Sequence, residues 1–136
     1  MKPARPVHSV PPVRFEEVGE GYCHDETGNQ YDHSAAVAVD DLEACMSMCG
    51  KSAHSGALVG LDFYDDLRCQ CNFLDGFLED DGGTDPKPCN SIYFDDIKGI
   101  GIDQCHTKEI GKGKVDGHGG PSGVTCYRVT EDTVSV

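Results

Sequence analysis

The chain has no tryptophan, few cations and few large apolar side chains. Leu, Ile, Val and Phe number 28 among 136 residues, about a fifth, which leaves little material for an apolar core. No run of 18 apolar residues occurs, so no helix can span a bilayer and no membrane insertion is expected. Eleven Lys and Arg stand against 24 Asp and Glu, a formal charge of −13. That balance repels DNA, RNA and anionic lipid, so no nucleic-acid partner is expected. Asn29, Asn72 and Asn90 each lack the hydroxyl residue two places on, so no N-glycosylation acceptor exists.

Local signatures of catalysis are missing as well. His8, His24, His33, His54, His106 and His118 form no HExxH pair, and no GxSxG elbow occurs. Gly111-Lys112-Gly113-Lys114 has a superficial likeness to a phosphate loop but lacks its order, and is read as a turn-rich loop. No catalytic residue, resident metal or cofactor is expected. A small metal-dependent enzyme is the least favoured reading.

Cysteine is abundant. Cys23, Cys45, Cys49, Cys69, Cys71, Cys89, Cys105 and Cys126 make an even set in a domain of 14.6 kDa. A disulfide framework in an oxidising compartment is the reading that lets so thin a core fold. A four-thiolate zinc cage from Cys45, Cys49, Cys69 and Cys71 competes with it, but structural zinc sites more often have a two-residue gap between paired ligands. Met1–Pro6 is basic, yet residues 7–13 carry no apolar h-region. The expectation is a secreted, extracellular chain whose signal segment has been removed.

Residues 1–18 hold four of the seven prolines together with Lys2, Arg5 and Arg14. They read as a Pro-rich extended arm, either a plain linker or a basic strap that docks on an acidic neighbour. Residues 19–130 form the domain, and 131–136 a frayed tail. Residues 21–25 suggest a short strand. A helix is predicted from about Asp41 to Cys49, with Asp40 as N-cap, Glu43 in the capping-box position and Gly50 at its end. Residues 57–64 and 68–73 predict a β-hairpin turning at Asp65-Asp66, with Ala57, Val59, Leu61 and Phe63 on one face. In the second strand Cys69, Cys71 and Phe73 point inward, and Arg68, Gln70 and Asn72 outward. Ile92–Phe94 and Val124–Val129 are further strands. The stretch between, about 75–123, reads as a loose acidic and Gly-rich insertion, with eight glycines in residues 99–123.

The cysteine spacings match one another. Cys45 and Cys49 lie on one helix face about 6 Å apart along the axis. Cys69 and Cys71 share a strand face roughly 6.6 Å apart. Opposed helix and strand senses would pair Cys45 with Cys71 and Cys49 with Cys69; parallel senses would pair Cys45 with Cys69 and Cys49 with Cys71. Spacing alone does not choose.

Gly21-Tyr22-Cys23, Leu42-Glu43-Ala44-Cys45-x3-Cys49, Leu58-Val59-Gly60-Leu61-Asp62-Phe63, Arg68-Cys69-x-Cys71 and the closing Cys126-Tyr127 together resemble a PAN/apple domain over residues 20–129. The variant is most similar to those of secreted proteins in diatoms and related algae. The resemblance implies an α+β fold, a disulfide-stapled antiparallel sheet of about five strands cradling one α-helix. It implies a nested pattern, Cys23–Cys126, Cys45–Cys71 and Cys49–Cys69, which leaves Cys89 and Cys105 for each other. It also implies an adhesion or matrix module that binds protein or polysaccharide.

Candidate ligand residues are Tyr64, Asp65, Asp66 and Arg68 at the hairpin turn, and Tyr93. Tyr31 is a further tyrosine that could stand exposed. Lys2, Arg5 and Arg14 are the candidate partner-binding residues of the arm, through which the chain could self-associate. Asp62, Asp65, Asp66, Glu79, Asp80, Asp81, Asp85, Asp95 and Asp96 could hold Ca²⁺, but they match no EF-hand spacing and read better as a solvated acidic surface. His106 beside Cys105 is a weak candidate metal pair. An intact mass about 8 Da below the fully reduced value is expected, since eight cysteines oxidise to four bonds; a mass at the reduced value with bound zinc would favour the thiolate cage.

Overall fold

The computed structural model describes residues 14–51, 57–80, 82–89 and 102–130. Among these the chain order is β1 (Arg14–Glu20), β2 (Tyr22–His24), β3 (Asp32–Ser34), β4 (Val37–Ala38), α1 (Leu42–Gly50), β5 (Leu58–Tyr64), β6 (Arg68–Phe73), β7 (Lys87–Pro88), β8 (Gln104–His106), β9 (Gly117–Gly119) and β10 (Val124–Thr130). Eight strands form one sheet in the order β1-β10-β5-β6-β3-β8-β7, with β4 pairing on β6 as well. The strands β2 and β9 make a separate two-stranded ribbon. All pairings are antiparallel. The fold is thus mostly antiparallel sheet with one helix and four disulfides, and the sheet is wider than the five strands expected.

The additional width has two sources. Arg14–Glu20, expected as part of the arm, is an edge strand on β10. The 75–123 stretch, expected as loose, supplies β7 and β8 to this sheet and β9 to the ribbon. One of its glycines serves close packing: Gly111 lies so near Tyr31 that an added Cβ would stand 2.7 Å from the ring. The strand expected at Ile92–Phe94, Tyr93 and the tail 131–136 lie outside the described residues.

The helix starts one residue later than the sequence suggests. Asp41, not Asp40, is the N-cap, its Oδ1 accepting from the Ala44 amide at 2.8 Å. Gly50 is the last helical residue, and Lys51 is the C-cap.

The four disulfides are Cys23–Cys126, Cys45–Cys69, Cys49–Cys71 and Cys89–Cys105. The nested pairs Cys45–Cys71 and Cys49–Cys69 are therefore corrected. The reason lies in how the chain reaches the helix. Val37 and Ala38 of β4 pair with Cys69 and Arg68, so β4 runs against β6 and leaves it at the Arg68 end. The Val39 amide is then held by the Leu67 carbonyl at 2.8 Å. A helix beginning there can only return along β6 in the same sense as that strand. Its first cysteine meets the strand's first cysteine.

Two clusters fill the two faces of the central strands. One face carries Cys45, Cys49, Leu58, Leu61, Cys69, Cys71 and Phe73 under the helix. The other carries Cys23, Tyr31, Val59, Val115 and Cys126 under the β2–β9 ribbon. A register shift between Leu58 and Gly60 moves Val59 off the helix face where alternation had placed it. Strands covered on both faces lose the inside–outside alternation, so Gln70 and Asn72 are buried rather than solvent-facing.

Cys45→Ser/Cys69→Ser removes one native bond and should lower stability by about 2–4 kcal/mol in urea titration. Cys45→Ser/Cys71→Ser breaks two bonds and should cost more; the reverse order would restore the nested pattern.

Candidate functional site

The hairpin turn lies against the loop before β10. The Asp65 amide donates to the Gly123 carbonyl at 2.8 Å, which holds the two segments together. Between them opens a cleft of about 360 Å³ lined by Tyr22, Tyr64, Asp65, Asp66, Arg68 and the Pro121–Val124 segment. Tyr22 enters it because Gly21 is a glycine: its φ is +106°, and a Cβ there would stand 2.3 Å from the Gly119 backbone. Any larger residue would push the ribbon away from the sheet.

The cleft has an aromatic and cationic wall. The Tyr22 and Tyr64 rings meet edge to face at 6.3 Å. The Arg68 guanidinium sits 4.3 Å from the Tyr64 ring centroid. Arg68 Nε donates to both Asp66 oxygens at 2.9 Å. These contacts fix the plane of the guanidinium, and its terminal nitrogens make no hydrogen bond among the described residues.

Behind that wall runs a buried polar chain. Tyr64 Oη donates to Gln70 Oε1 at 3.2 Å, and Gln70 Nε2 donates to Asp62 Oδ2 at 2.8 Å. The Cys23 amide donates to Asp62 Oδ1 at 3.0 Å. Asp62 is only 1% exposed. Burial pushes its carboxyl up to about 7, against the lowering effect of the hydrogen bonds it accepts. Burial also raises the Tyr64 hydroxyl. The Tyr64 ring is thus positioned from inside the protein, through Gln70, by a carboxyl group that titrates near neutrality.

A second polar cluster lies at the β3–β8–β7 edge. Lys87 Nζ, with a side chain 6% exposed, pairs with Asp80 at 2.8 Å and Asp85 at 3.6 Å. Lys108 adds to Asp80 at 3.6 Å. Hydrogen bonding from Lys87 holds the Asp80 carboxyl down to about 2. Asp80 and Asp85, read from sequence as solvated or calcium-binding, are ion-pair partners of a buried lysine instead. His33 and His106 stack nearby with centroids 4.8 Å apart. Burial, and then His106, push the His33 ring down, although the Tyr31 carbonyl works against them.

The segment that resembled a phosphate loop is clamped on the protein itself. Tyr31 Oη donates to the Gly113 carbonyl at 2.9 Å, and the Lys112 amide donates to Asp25 Oδ2 at 3.0 Å. The Lys112 amide that a phosphate would need already has a carboxylate. Tyr31, for which the sequence left exposed and buried placement both open, is buried at 1% exposure.

Of the residues singled out by sequence, Tyr64, Asp65, Asp66 and Arg68 line one cleft. Tyr93, Lys2 and Arg5 lie outside the described residues, and Arg14 opens β1 opposite Thr130. Tyr22, Ser122 and Gly123 were missed because they reach the cleft from distant segments. Cys105, offered as a metal partner of His106, is bonded to Cys89. Among the described residues the groups of three converging metal-type ligands all include disulfide cysteines. No helix there is long and apolar enough to cross a membrane. Four disulfides are compatible with an extracellular protein.

No family model, curated protein or solved structure matches the chain.

A carboxyl raised by burial binds a proton in the folded state that the unfolded chain binds only below about 4. Asp62 therefore contributes stability that is full below about pH 4 and is lost as pH rises through 7. Urea stability measured from pH 4 to 8 should fall across that window, and Asp62→Asn should reduce the fall, leaving the share of Asp32, whose carboxyl burial likewise pushes up to about 7.

Proposed function

We propose that this chain is an extracellular binding module of PAN/apple type that takes a protein partner in the Tyr22–Tyr64–Arg68 cleft. One observation carries the reading: an arginine stacked on a tyrosine and held through Nε in the wall of a cleft, its terminal nitrogens making no hydrogen bond among the described residues. A planar guanidinium held this way offers a fork for a carboxylate or carbonyl of a partner chain, and its rigidity lowers the entropy cost of contact. Tyrosine and arginine are the side chains that most often dominate protein interfaces. The kinship is supported by a helix stapled twice to the central hairpin and a first-to-last cystine, while the parallel staple and the wide sheet depart from it.

A polysaccharide is the second reading. Its support is the adjacency of two tyrosine rings to the carboxylates of Asp65 and Asp66 and the Ser122 hydroxyl, which suit sugar faces and hydroxyls. A glycan array and an array of acidic and neutral peptides, probed with the oxidised wild type and with Tyr64→Ala and Arg68→Ala, distinguish the two. Peptide binding lost in both variants supports the first reading; glycan binding lost in both supports the second. Binding that both variants retain removes the cleft from either.

Self-association is the associated proposal. The basic residues Lys2 and Arg5 of the arm dock on the acidic body of a second copy. Deleting residues 1–13, which spares β1, should reduce the mass seen by light scattering at low salt. An unchanged mass removes the basis of the arm contact.

A further inference from the structure

We propose that His33 and His106 form a two-imidazole site for a divalent transition-metal ion, Cu²⁺ most tightly. The two residues are direct cross-strand partners in the β3–β8 pairing, and both side chains rise from the same face. Their rings lie 4.8 Å apart and within 28° of parallel.

The hydrogen bonding sets which nitrogen each ring offers. His33 Nδ1 is 2.8 Å from the Tyr31 carbonyl oxygen, which can only accept, so Nδ1 carries the proton and Nε2 keeps its lone pair. His106 Nδ1 is 3.9 Å from Asp85 Oδ2, too far for a hydrogen bond, but the carboxylate on that side of the ring favours a proton there and leaves Nε2 for an ion. An imidazole whose other nitrogen faces a carbonyl or carboxylate is the arrangement that orients a histidine metal ligand. Two nitrogens bound to one ion at about 2.0–2.1 Å stand closer than the stacked rings do. Binding therefore requires both rings to turn from the stacked arrangement so that their in-plane Nε2 lone pairs converge on the ion. His106 is 33% exposed, so an ion reaches the pair from solvent.

Asp85 Oδ1, 3.6 Å from Lys87 Nζ, and the hydroxyl of Thr107, next in the chain to His106, are buried oxygens with no hydrogen-bond partner among the described residues. With two protein ligands the affinity order follows the ion, which places Cu²⁺ above Ni²⁺ and Zn²⁺. No thiolate is called on, since Cys105 is bonded to Cys89.

The test is titration of the oxidised full chain with Cu²⁺ alone, read by calorimetry and by electron paramagnetic resonance, with thermal melting in Ni²⁺ as a second measure. One ion per chain with imidazole nitrogen coupling is expected. His33→Gln and His106→Gln should each weaken binding at least tenfold and abolish the Ni²⁺-dependent rise in Tm, while His118→Gln leaves both unchanged. His106→Gln is at the exposed position and keeps the proposal testable should His33→Gln fail to fold. Wild-type affinity in His106→Gln, or a spectrum without imidazole nitrogen, overturns the site.

Discussion

The double cystine between α1 and β6 is the constraint on which the rest of this fold depends. A nine-residue helix has too few turns to hold itself together in water. Here it is bolted at Cys45 and Cys49 to the strand at the centre of the sheet. Both sulfur pairs are fully buried, so they also serve as apolar packing in a chain poor in large side chains. The bolted helix covers one face of β5 and β6. Cys23–Cys126 does the corresponding work on the opposite face, where it ties the ribbon to β10 under Val59 and Val115.

With both faces of the central strands closed, polar side chains on them must find partners inside. Asp62 and Gln70 are the result. Such a chain is tolerated only when its members satisfy one another. Asp62 accepts from the Cys23 amide and from Gln70, and Gln70 in turn takes the Tyr64 hydroxyl. The cleft wall and the disulfide core are therefore linked through three side chains. The charge of −13 is distributed in the same way. Asp25, Asp32 and Asp62 are turned inward, Asp80 and Asp85 hold Lys87, and most of the other acidic side chains among the described residues face solvent.

The local elements were legible because their causes are local. The helix could be read from an aspartate cap and the periodic Leu42, Cys45 and Cys49, and the hairpin from alternating Cys69, Cys71 and Phe73 beyond Asp65-Asp66. Four cleft residues, Tyr64, Asp65, Asp66 and Arg68, were legible as a group because one tight turn brings them together. What misled was alternation itself. Gln70 and Asn72 read as outward residues, since period two tells one face from the other but not whether a second layer covers it. The glycines of residues 99–123 read as looseness, whereas Gly111 is small because Tyr31 stands where its Cβ would be.

From the sequence alone the helix, the central hairpin, the last strand and a disulfide framework were legible, but not β1 or β7–β9, because cap, periodicity and composition act over a few residues or over the whole chain regardless of order. Only the tertiary structure decided the pairing of Cys45 with Cys69 and Cys49 with Cys71, the burial of Asp62, the arrival of Tyr22 in the cleft and the stacking of His33 on His106. Each of these depends on the direction in which one segment passes another. The course of β4 along β6 sets the sense of the helix, and the pairing of β3 with β8 joins histidines 73 residues apart in the chain. Neither path leaves a signal in local spacing, since contacts between distant segments are selected by the packing of the whole sheet.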